Sequence, residues 1–249
     1  VQFPRSDLKT VILRSNRAGE VIAGLYTKTK NVELLTSTLP FNFLSIFYSE
    51  PKSPASVVTE VLYFAPKHTL TEKLRDITYT FSVTSFFQIN PDVFEQTLLD
   101  IQEYIPASSS VLDFYSGVGS IGLSLKNMKH VTLVEENKEA VTFAKQNIED
   151  NQIPAEAYAC QAHEMIQQIN SEDMLIVDPP RGGLHPRLLQ KIRNALPPKV
   201  IYLSCNIESQ ARDLAEIIDT YKPVYAKLYN YFPMTPHVEC LIVLEKRVG

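Results

Sequence analysis

The feature that most constrains the fold is an alternation of apolar strands and amphipathic helices that begins near residue 108. The stretches SVLDFYS, HVTLVEE, EAYACQA, DMLIVDPP and KVIYLSC are typical of strands. Between some of them, NKEAVTFAKQNIEDN and HPRLLQKIRNAL carry apolar residues at helical spacing. Strands that alternate with helices at these intervals predict a parallel, buried sheet covered by helices, which is an α/β architecture.

The end of the chain and its first third depart from this pattern. VYAKLYNYF and HVECLIVLEKR leave no room for a helix between them, so they predict a terminal antiparallel hairpin around PMTP. Residues 1–80 hold β-rich stretches, among them ASVVTEVLYF, and predict a small antiparallel sheet. A helix is expected from Pro91, which suits a first helical turn. We therefore expect a β-rich subdomain over residues 1–82, a candidate RNA-contacting part, and an α/β domain over residues 83–249.

Charge and cysteine content narrow the classes of function. The formal net charge of −4 over 249 residues argues against electrostatic binding of nucleic acid over the whole protein surface. It does not exclude binding at a local basic patch. No apolar run approaches the roughly 20 residues that a membrane span needs, and no N-terminal signal is visible, so we expect a cytoplasmic protein without a membrane partner. Cys160, Cys205 and Cys240 lie far apart. They predict free thiols and neither a metal site nor an iron–sulfur cluster in this chain.

A glycine-rich turn, DFYSGVGSIG, follows the first strand of the α/β part at residues 113–122. Gly117 and Gly119 let the backbone come close to a ligand, and we expect a helix N-terminus beyond them. The spacing suits a nicotinamide dinucleotide as well as S-adenosylmethionine. Asp113 tilts the choice, because an acidic residue would repel a pyrophosphate and attract the ammonium group of S-adenosylmethionine. Glu135 ends the next strand, where α/β folds place a carboxylate on a ribose diol.

Three polar residues stand at the ends of later strands. Asp178 precedes Pro-Pro and Arg181, and this rigid segment suits the wall of a pocket for a flat, polar substrate. Cys205 ends the following strand and, in a parallel sheet, reaches the same edge as Asp178. From this pattern alone Cys205 is either a packing residue or a reactive thiol. Glu239 enters the last strand, so it either faces solvent or acts as a general base with a raised pKa.

Taken together, these motifs resemble the RNA 5-methyluridine methyltransferase family, which uses S-adenosylmethionine to methylate carbon 5 of a uridine in tRNA or 23S rRNA. The resemblance covers roughly residues 80–248 and rests on SFFQIN, DFYSGVGS, VDPPRGG, YLSCN and HVECLIVLEK. It implies a class I methyltransferase fold with a Rossmann-like sheet, S-adenosylmethionine as cofactor and an RNA partner, either tRNA or 23S rRNA.

The resemblance also implies roles for individual residues. Cys205 matches the nucleophile that adds to carbon 6 of uracil, and Glu239 matches the base that removes the proton from carbon 5. We also expect Asp178, at the same edge of the sheet, to be a catalytic residue. With the glycine turn included, the predicted cofactor-binding residues are Gln88, Asp113, Tyr115, Gly117, Gly119, Ser120, Glu135, Gln161 and Asp178. The expected substrate-binding residues are Phe87, Arg181, Asn206 and His237.

One position departs from the family, and two other functions stay open. Ile207 occupies the place where the family usually has proline after Ser-Cys-Asn. An exocyclic-amine methyltransferase would use Asp178-Pro-Pro, although Arg181 replaces the aromatic residue of that motif. A catalytically silent RNA-binding domain would keep the fold, and the presence of both Cys205 and Glu239 argues against it.

Overall fold

In a computed structural model of the chain, residues 4–32, 43–53 and 56–247 are described. They belong to two compact units, the smaller within Val1–Glu72 and Thr80–Phe86, the larger within Lys73–Tyr79 and Phe87–Gly249. Among the described residues, none of the helices has the length and apolar character needed to cross a bilayer.

The smaller unit contains a four-stranded sheet in the order β1-β2-β3-β4. Its strands are β1 (Leu8–Ser15), β2 (Val21–Thr27), β3 (Leu44–Tyr48) and β4 (Glu60–Tyr63). The prediction of a purely antiparallel sheet is wrong at one pair, because β2 and β3 are parallel. The long connection between them permits a crossover, and alternation of residues does not encode strand direction. The predicted strand ASVVTEVLYF is realised as β4, and its first residue, Ala55, lies outside the described residues.

A hairpin of β5 (Thr69–Leu74) and β6 (Ile77–Ser82) follows. Its turn belongs to the larger unit. There the Arg75 backbone N–H donates to Glu95 Oε1 at 2.7 Å. Thr78 exchanges two hydrogen bonds with the Asn151 side chain, at 3.0 and 2.9 Å. The turn is therefore held by polar contacts to two helical segments of its own unit.

The larger unit is built on a seven-stranded sheet in the order β12-β13-β11-β10-β7-β8-β9. Its strands are β7 (Ser110–Phe114), β8 (His130–Glu135), β9 (Ala155–Ala159), β10 (Met174–Val177), β11 (Lys199–Ser204), β12 (Tyr221–Tyr229) and β13 (Glu239–Lys246). The α-helices are α1 (Pro91–Tyr104), α2 (Lys138–Asp150), α3 (Pro186–Ala195) and α4 (Ile207–Ala215). The strands β7 to β11 pair in parallel, and β13 runs antiparallel to both β11 and β12. The α/β sheet with a terminal antiparallel hairpin is thus confirmed.

The strand order predicts a ligand crevice at a defined edge of the sheet. From β7 the chain proceeds to β8 and β9 on one side of the sheet, and β10 and β11 lie on the other side. Ligands of open α/β sheets bind where the order reverses, outside the carboxyl ends of the strands. Since β13 is antiparallel to β11, its first residues lie at this same edge, with Cys240 opposite Ser204. The sheet thereby brings Glu239 to the end of the strand that carries Cys205.

The helix expected after the glycine turn does not form. Turns, bends and irregular backbone make up most of the segment between β7 and β8, and only Gly122–Ser124 is helical, as one 3₁₀ turn. The Asp113 carboxylate accepts the Gly122 N–H at 2.8 Å, so this amide is already bound within the chain. The prediction of a helix N-terminus at this point is therefore wrong.

Candidate active site

The glycine turn after β7 has an unusual backbone. Tyr115, Gly117 and Gly119 all have positive φ, at +65°, +56° and +87°. A Cβ atom at Gly119 would lie 2.7 Å from Leu123, so glycine is required there. Tyr115 has a side chain and adopts the left-handed region at a cost of about 1 kcal/mol or more. Such strain is concentrated at ligand sites, and Tyr115 lies at the carboxyl end of β7, beside the crevice.

Asp113, on β7, supports the glycine turn through its side chain. Its side chain is fully buried, and burial, together with the nearby charge of Glu135, raises its pKa to about 7 against the opposing hydrogen bond from Gly122. A Cβ atom on Gly122 would lie 2.8 Å from the Asp113 carboxylate, which fixes glycine at that position. In this position Asp113 is buried and supports the turn, and its contact with a cofactor stays a prediction.

Glu135 connects the end of β8 to the same turn. Its Oε2 accepts the Gly117 N–H at 3.0 Å, and its Oε1 accepts the Asn137 N–H at 2.8 Å. Just beyond the next strand, β9, Gln161 is exposed and caps a short 3₁₀ helix through its N–H to Glu164. The predicted cofactor residues of β7, β8 and β9 therefore all stand at the carboxyl edge.

Three other predicted cofactor residues adjoin the turn or precede α1. Burial raises the pKa of the Tyr115 hydroxyl, and a hydrogen bond with the His185 backbone opposes the shift. The Ser120 carbonyl accepts a hydrogen bond from the Tyr79 hydroxyl at 3.3 Å. Gln88 is buried just before α1.

Two buried polar atoms at the turn lack a hydrogen-bond partner within the described part of the chain. They are Asp113 Oδ1 and Ser116 Oγ. Buried polar atoms are nearly always satisfied, and Ser116 lies within the glycine turn, so its unsatisfied hydroxyl fits a site that a polar cofactor completes.

Cys205, Asp178 and Glu239 form the second half of the site. The partly buried Cys205 thiol has its pKa raised by burial and by the charges of Glu239 and Asp178. Burial raises the pKa of Glu239 to about 7, and its side chain is 4% exposed. The pKa of Asp178 is raised well above its ordinary value by burial and by Glu239 and Asp113. A thiol and two carboxylates thus share one poorly solvated region, where perturbed pKa values mark functional sites.

Arg181 supplies the compensating positive charge. Its guanidinium lowers the pKa of both Cys205 and Glu239 against the effect of burial. Its backbone carbonyl accepts a hydrogen bond from Asn206 Nδ2 at 2.9 Å. Asn206 Oδ1 accepts the Glu208 N–H at 3.1 Å and caps α4. Asn206, predicted to contact substrate, therefore ties the Arg181 segment to the helix that follows Cys205.

The sequence reasoning missed two residues that hold this segment. Asp213 Oδ2, on α4, accepts hydrogen bonds from the Leu184 N–H at 2.7 Å and from the Tyr202 hydroxyl at 2.8 Å. The neighbouring Arg212 donates to the Gly182 carbonyl at 2.7 Å. No signal in the sequence pointed to Asp213, since a helical aspartate is more often solvated than buried.

Two predicted substrate residues have different surroundings. Phe87 is 4% exposed, and its ring centroid lies 6.0 Å from that of Tyr79, so it packs in the core of the unit and does not present a face to substrate. This corrects its predicted substrate contact. His237 is exposed, its ring lies 6.3 Å from Phe232, and its N–H donates to Thr235 Oγ1 at 3.2 Å. His237 stays a prediction as a substrate contact.

Comparison with known proteins identifies relatives of this chain. The chain is 34% identical over 240 residues to the tRNA (uracil(54)-C(5))-methyltransferase of Pyrococcus abyssi, covering 95% of this chain and 58% of that protein. It is 30% identical over 259 residues to an uncharacterized RNA methyltransferase of Streptococcus mutans, covering 96% of this chain and 56% of that protein. The chain therefore spans little more than half the length of these relatives.

A solved structure shares the fold closely. The crystal structure of the Pyrococcus abyssi tRNA (uracil-54, C5)-methyltransferase, in complex with S-adenosyl-L-homocysteine, superposes with a TM-score of 0.81 at 32% identity. The match covers 95% of this chain and 59% of that one. The family described as tRNA (Uracil-5-)-methyltransferase matches residues 64–247, which is most of the chain. The chain belongs to the tRNA (uracil-5-)-methyltransferase family.

Proposed function

We propose that this chain methylates carbon 5 of a uridine in tRNA, with Cys205 as nucleophile and Glu239 as general base. The observation that carries the proposal is the meeting of three strand ends. Asp178 follows β10, Cys205 follows β11, and Glu239 begins the antiparallel β13 at the same edge. The alternative of a silent binding domain offers no reason for a thiol and two carboxylates to share a poorly solvated crevice.

Cys205 solves a problem of reactivity. Carbon 5 of uracil is a weak nucleophile, and addition of the Cys205 thiolate to carbon 6 moves the ring electrons toward carbon 5 and oxygen 4. The carbon–sulfur bond forms as the double bond between carbons 5 and 6 is lost. Burial opposes the thiolate by raising the Cys205 pKa, and the Arg181 guanidinium favours it. Arg181 thus assists the nucleophile in this site.

Glu239 completes the reaction. After methylation, carbon 5 carries both a methyl group and a proton, and the Glu239 carboxylate accepts that proton. The electrons of the broken C–H bond restore the ring double bond, and the thiolate leaves carbon 6. A pKa of about 7 suits a base at neutral pH, because an appreciable fraction is ionised and the conjugate acid is stable. Asp178, whose pKa is also raised, lies close enough to influence both groups.

The glycine turn supports S-adenosylmethionine as cofactor, which would supply an electrophilic methyl group when bound. Its binding residues would be those at the ends of β7 to β10, with Glu135 suited to the ribose hydroxyls and Asp178 nearest the reacting centre. The Pyrococcus abyssi relative was solved in complex with S-adenosyl-L-homocysteine, which supports this choice of cofactor. We place the reaction in the cytoplasm, and the tRNA names of the Pyrococcus relatives favour tRNA over 23S rRNA.

The test is transfer of a labelled methyl group from S-adenosylmethionine to an unmodified tRNA transcript, followed by nucleoside analysis. We expect 5-methyluridine with the wild-type protein and with Cys160→Ser, and none with Cys205→Ser. Cys160 is the matched control, because it is a partly exposed thiol at the end of another strand. A product methylated on an exocyclic amine, or full activity of Cys205→Ser, would overturn the proposal.

A further inference from the structure

The loop that joins β12 to β13 rises from the edge of the crevice. Tyr229 and Glu239 form the last pair of the hairpin, so residues 230–238 project beyond it. The base of the loop is fixed, because Tyr231 is buried and its hydroxyl donates to Thr97 Oγ1 of α1 at 2.6 Å. The loop is therefore anchored next to the proposed base.

The tip of this loop is a tight turn with an unfavourable residue. The Thr235 N–H donates to the Phe232 carbonyl at 3.2 Å, which closes a β-turn around Pro233 and Met234. Met234 has a φ of +66°. Proline at the second position and positive φ at the third are the features of a type II turn, which requires glycine or asparagine at the third position. Met234 therefore occupies a place where its own side chain is a source of strain.

Further contacts hold the turn in shape. Thr235 Oγ1 donates to the Phe232 carbonyl at 2.8 Å and accepts the His237 N–H at 3.2 Å. The Phe232 and His237 rings meet edge to face, with centroids 6.3 Å apart. The side chain of Met234 is fully exposed, at 102%, the largest value for a large apolar residue in the described ranges. A single exposed apolar residue is ordinary. Met234, however, has a strained backbone on a loop that other contacts hold in place, and its exposed side chain contributes no packing that would stabilise the fold.

Resting on the proposed function, we propose that Met234 is an apolar wedge that enters the base stack of the RNA when the target uridine leaves it. A base that reacts at carbons 5 and 6 must be turned out of its stack, and apolar side chains, methionine among them, are used to separate stacked bases. Met234 stands five residues before Glu239, in the loop that projects beyond the end of the β12–β13 hairpin. The partner of this surface is therefore structured RNA.

The decisive variant is Met234→Gly, because the wedge and a structural role predict opposite effects. Glycine suits the turn, so we expect the thermal midpoint to stay the same or rise. We expect kcat/KM to fall about tenfold or more on a folded, unmodified tRNA transcript. On a single-stranded RNA oligonucleotide with the same uridine and flanking sequence, where no stack must be opened, we expect a change within about threefold.

Two controls separate the possible failures. Val224→Ala removes a partly exposed apolar side chain at the far end of β12 and should change neither rate nor selectivity. Met234→Leu keeps an apolar side chain and should retain most of the rate on tRNA. Suppose that the wild-type protein methylates both RNAs. The wedge is then refuted if Met234→Gly methylates folded tRNA as well as the wild-type protein does, or if its kcat/KM falls by the same factor on both RNAs. If the wild-type protein methylates neither the folded tRNA nor the oligonucleotide, the proposed function is refuted, and with it this role of Met234.

Discussion

Replacing Glu239 by glutamine should stabilise the folded chain, and the gain should grow with pH. Burial raises the pKa of Glu239 from its ordinary 4.5 to about 7, so the native state holds this proton more tightly than the unfolded state does. The contribution of a group with a raised pKa is fully present below its unfolded pKa and is lost as pH rises through the folded value. At alkaline pH the wild-type protein must bury a charge that Glu239→Gln does not carry.

The size of the effect follows from the two pKa values. Above both of them, a rise from 4.5 to about 7 corresponds to about 3 kcal/mol of destabilisation by ionised Glu239. At about pH 5 the same relation gives a destabilisation by Glu239 of about 1 kcal/mol. The advantage of Glu239→Gln should thus grow by about 2 kcal/mol between about pH 5 and about pH 8.5, and any fixed cost of burying the amide cancels from this difference.

Urea unfolding of both proteins at the two pH values measures this difference. The matched control is Glu245→Gln, which changes another carboxylate of β13, one that is partly exposed and lies 3.2 Å from Lys222. The change in the free energy of unfolding caused by Glu245→Gln should not shift toward stabilisation at high pH. If the Glu239→Gln difference is the same at both pH values, Glu239 titrates as an ordinary carboxylate and the reasoning about its burial is wrong.

Three further outcomes are expected. Gly122→Ala places a Cβ atom 2.8 Å from the Asp113 carboxylate, so it should lower the free energy of unfolding by about 1–3 kcal/mol in urea titrations. Asp213→Ala leaves the Leu184 N–H without its partner in the loop that carries Arg181; thermal unfolding should show a loss of about 1–3 kcal/mol, and an unchanged midpoint would contradict that role. The kcat/KM for methylation should rise with pH through about 7 as Glu239 ionises, and a profile that falls over this range would exclude Glu239 as the base.

The sequence predicts the architecture because strand and helix periods are local properties. The order of β7 to β11 and the terminal hairpin follow from apolar spacing and from the short link at PMTP. The parallel pairing of β2 with β3 is not local, because either direction buries the same alternating residues. The helix predicted after the glycine turn is replaced by a single 3₁₀ turn, and the apolar spacing of this segment does not distinguish the two.

For the site, strand ends were predictable and side-chain directions were not. Cys205 and Asp178 had to reach one edge once the sheet was parallel, and Glu239 joined them because β13 reverses direction. Nothing in SFFQIN distinguishes an inward from an outward phenylalanine, yet Phe87 is buried and Phe86 is 62% exposed.

The central claim, that Cys205 bonds to the uracil ring, is tested most directly by trapping that bond. Fluorine at carbon 5 cannot be removed as a proton by Glu239, so a methylated 5-fluorouridine should stay attached to the thiolate. Wild-type protein incubated with S-adenosylmethionine and a 5-fluorouridine-substituted tRNA transcript should gain the mass of the methylated RNA in intact mass spectrometry, as should Cys160→Ser. Cys205→Ser should gain none. An adduct on Cys205→Ser, or none on wild-type protein that methylates unsubstituted tRNA, would contradict the account.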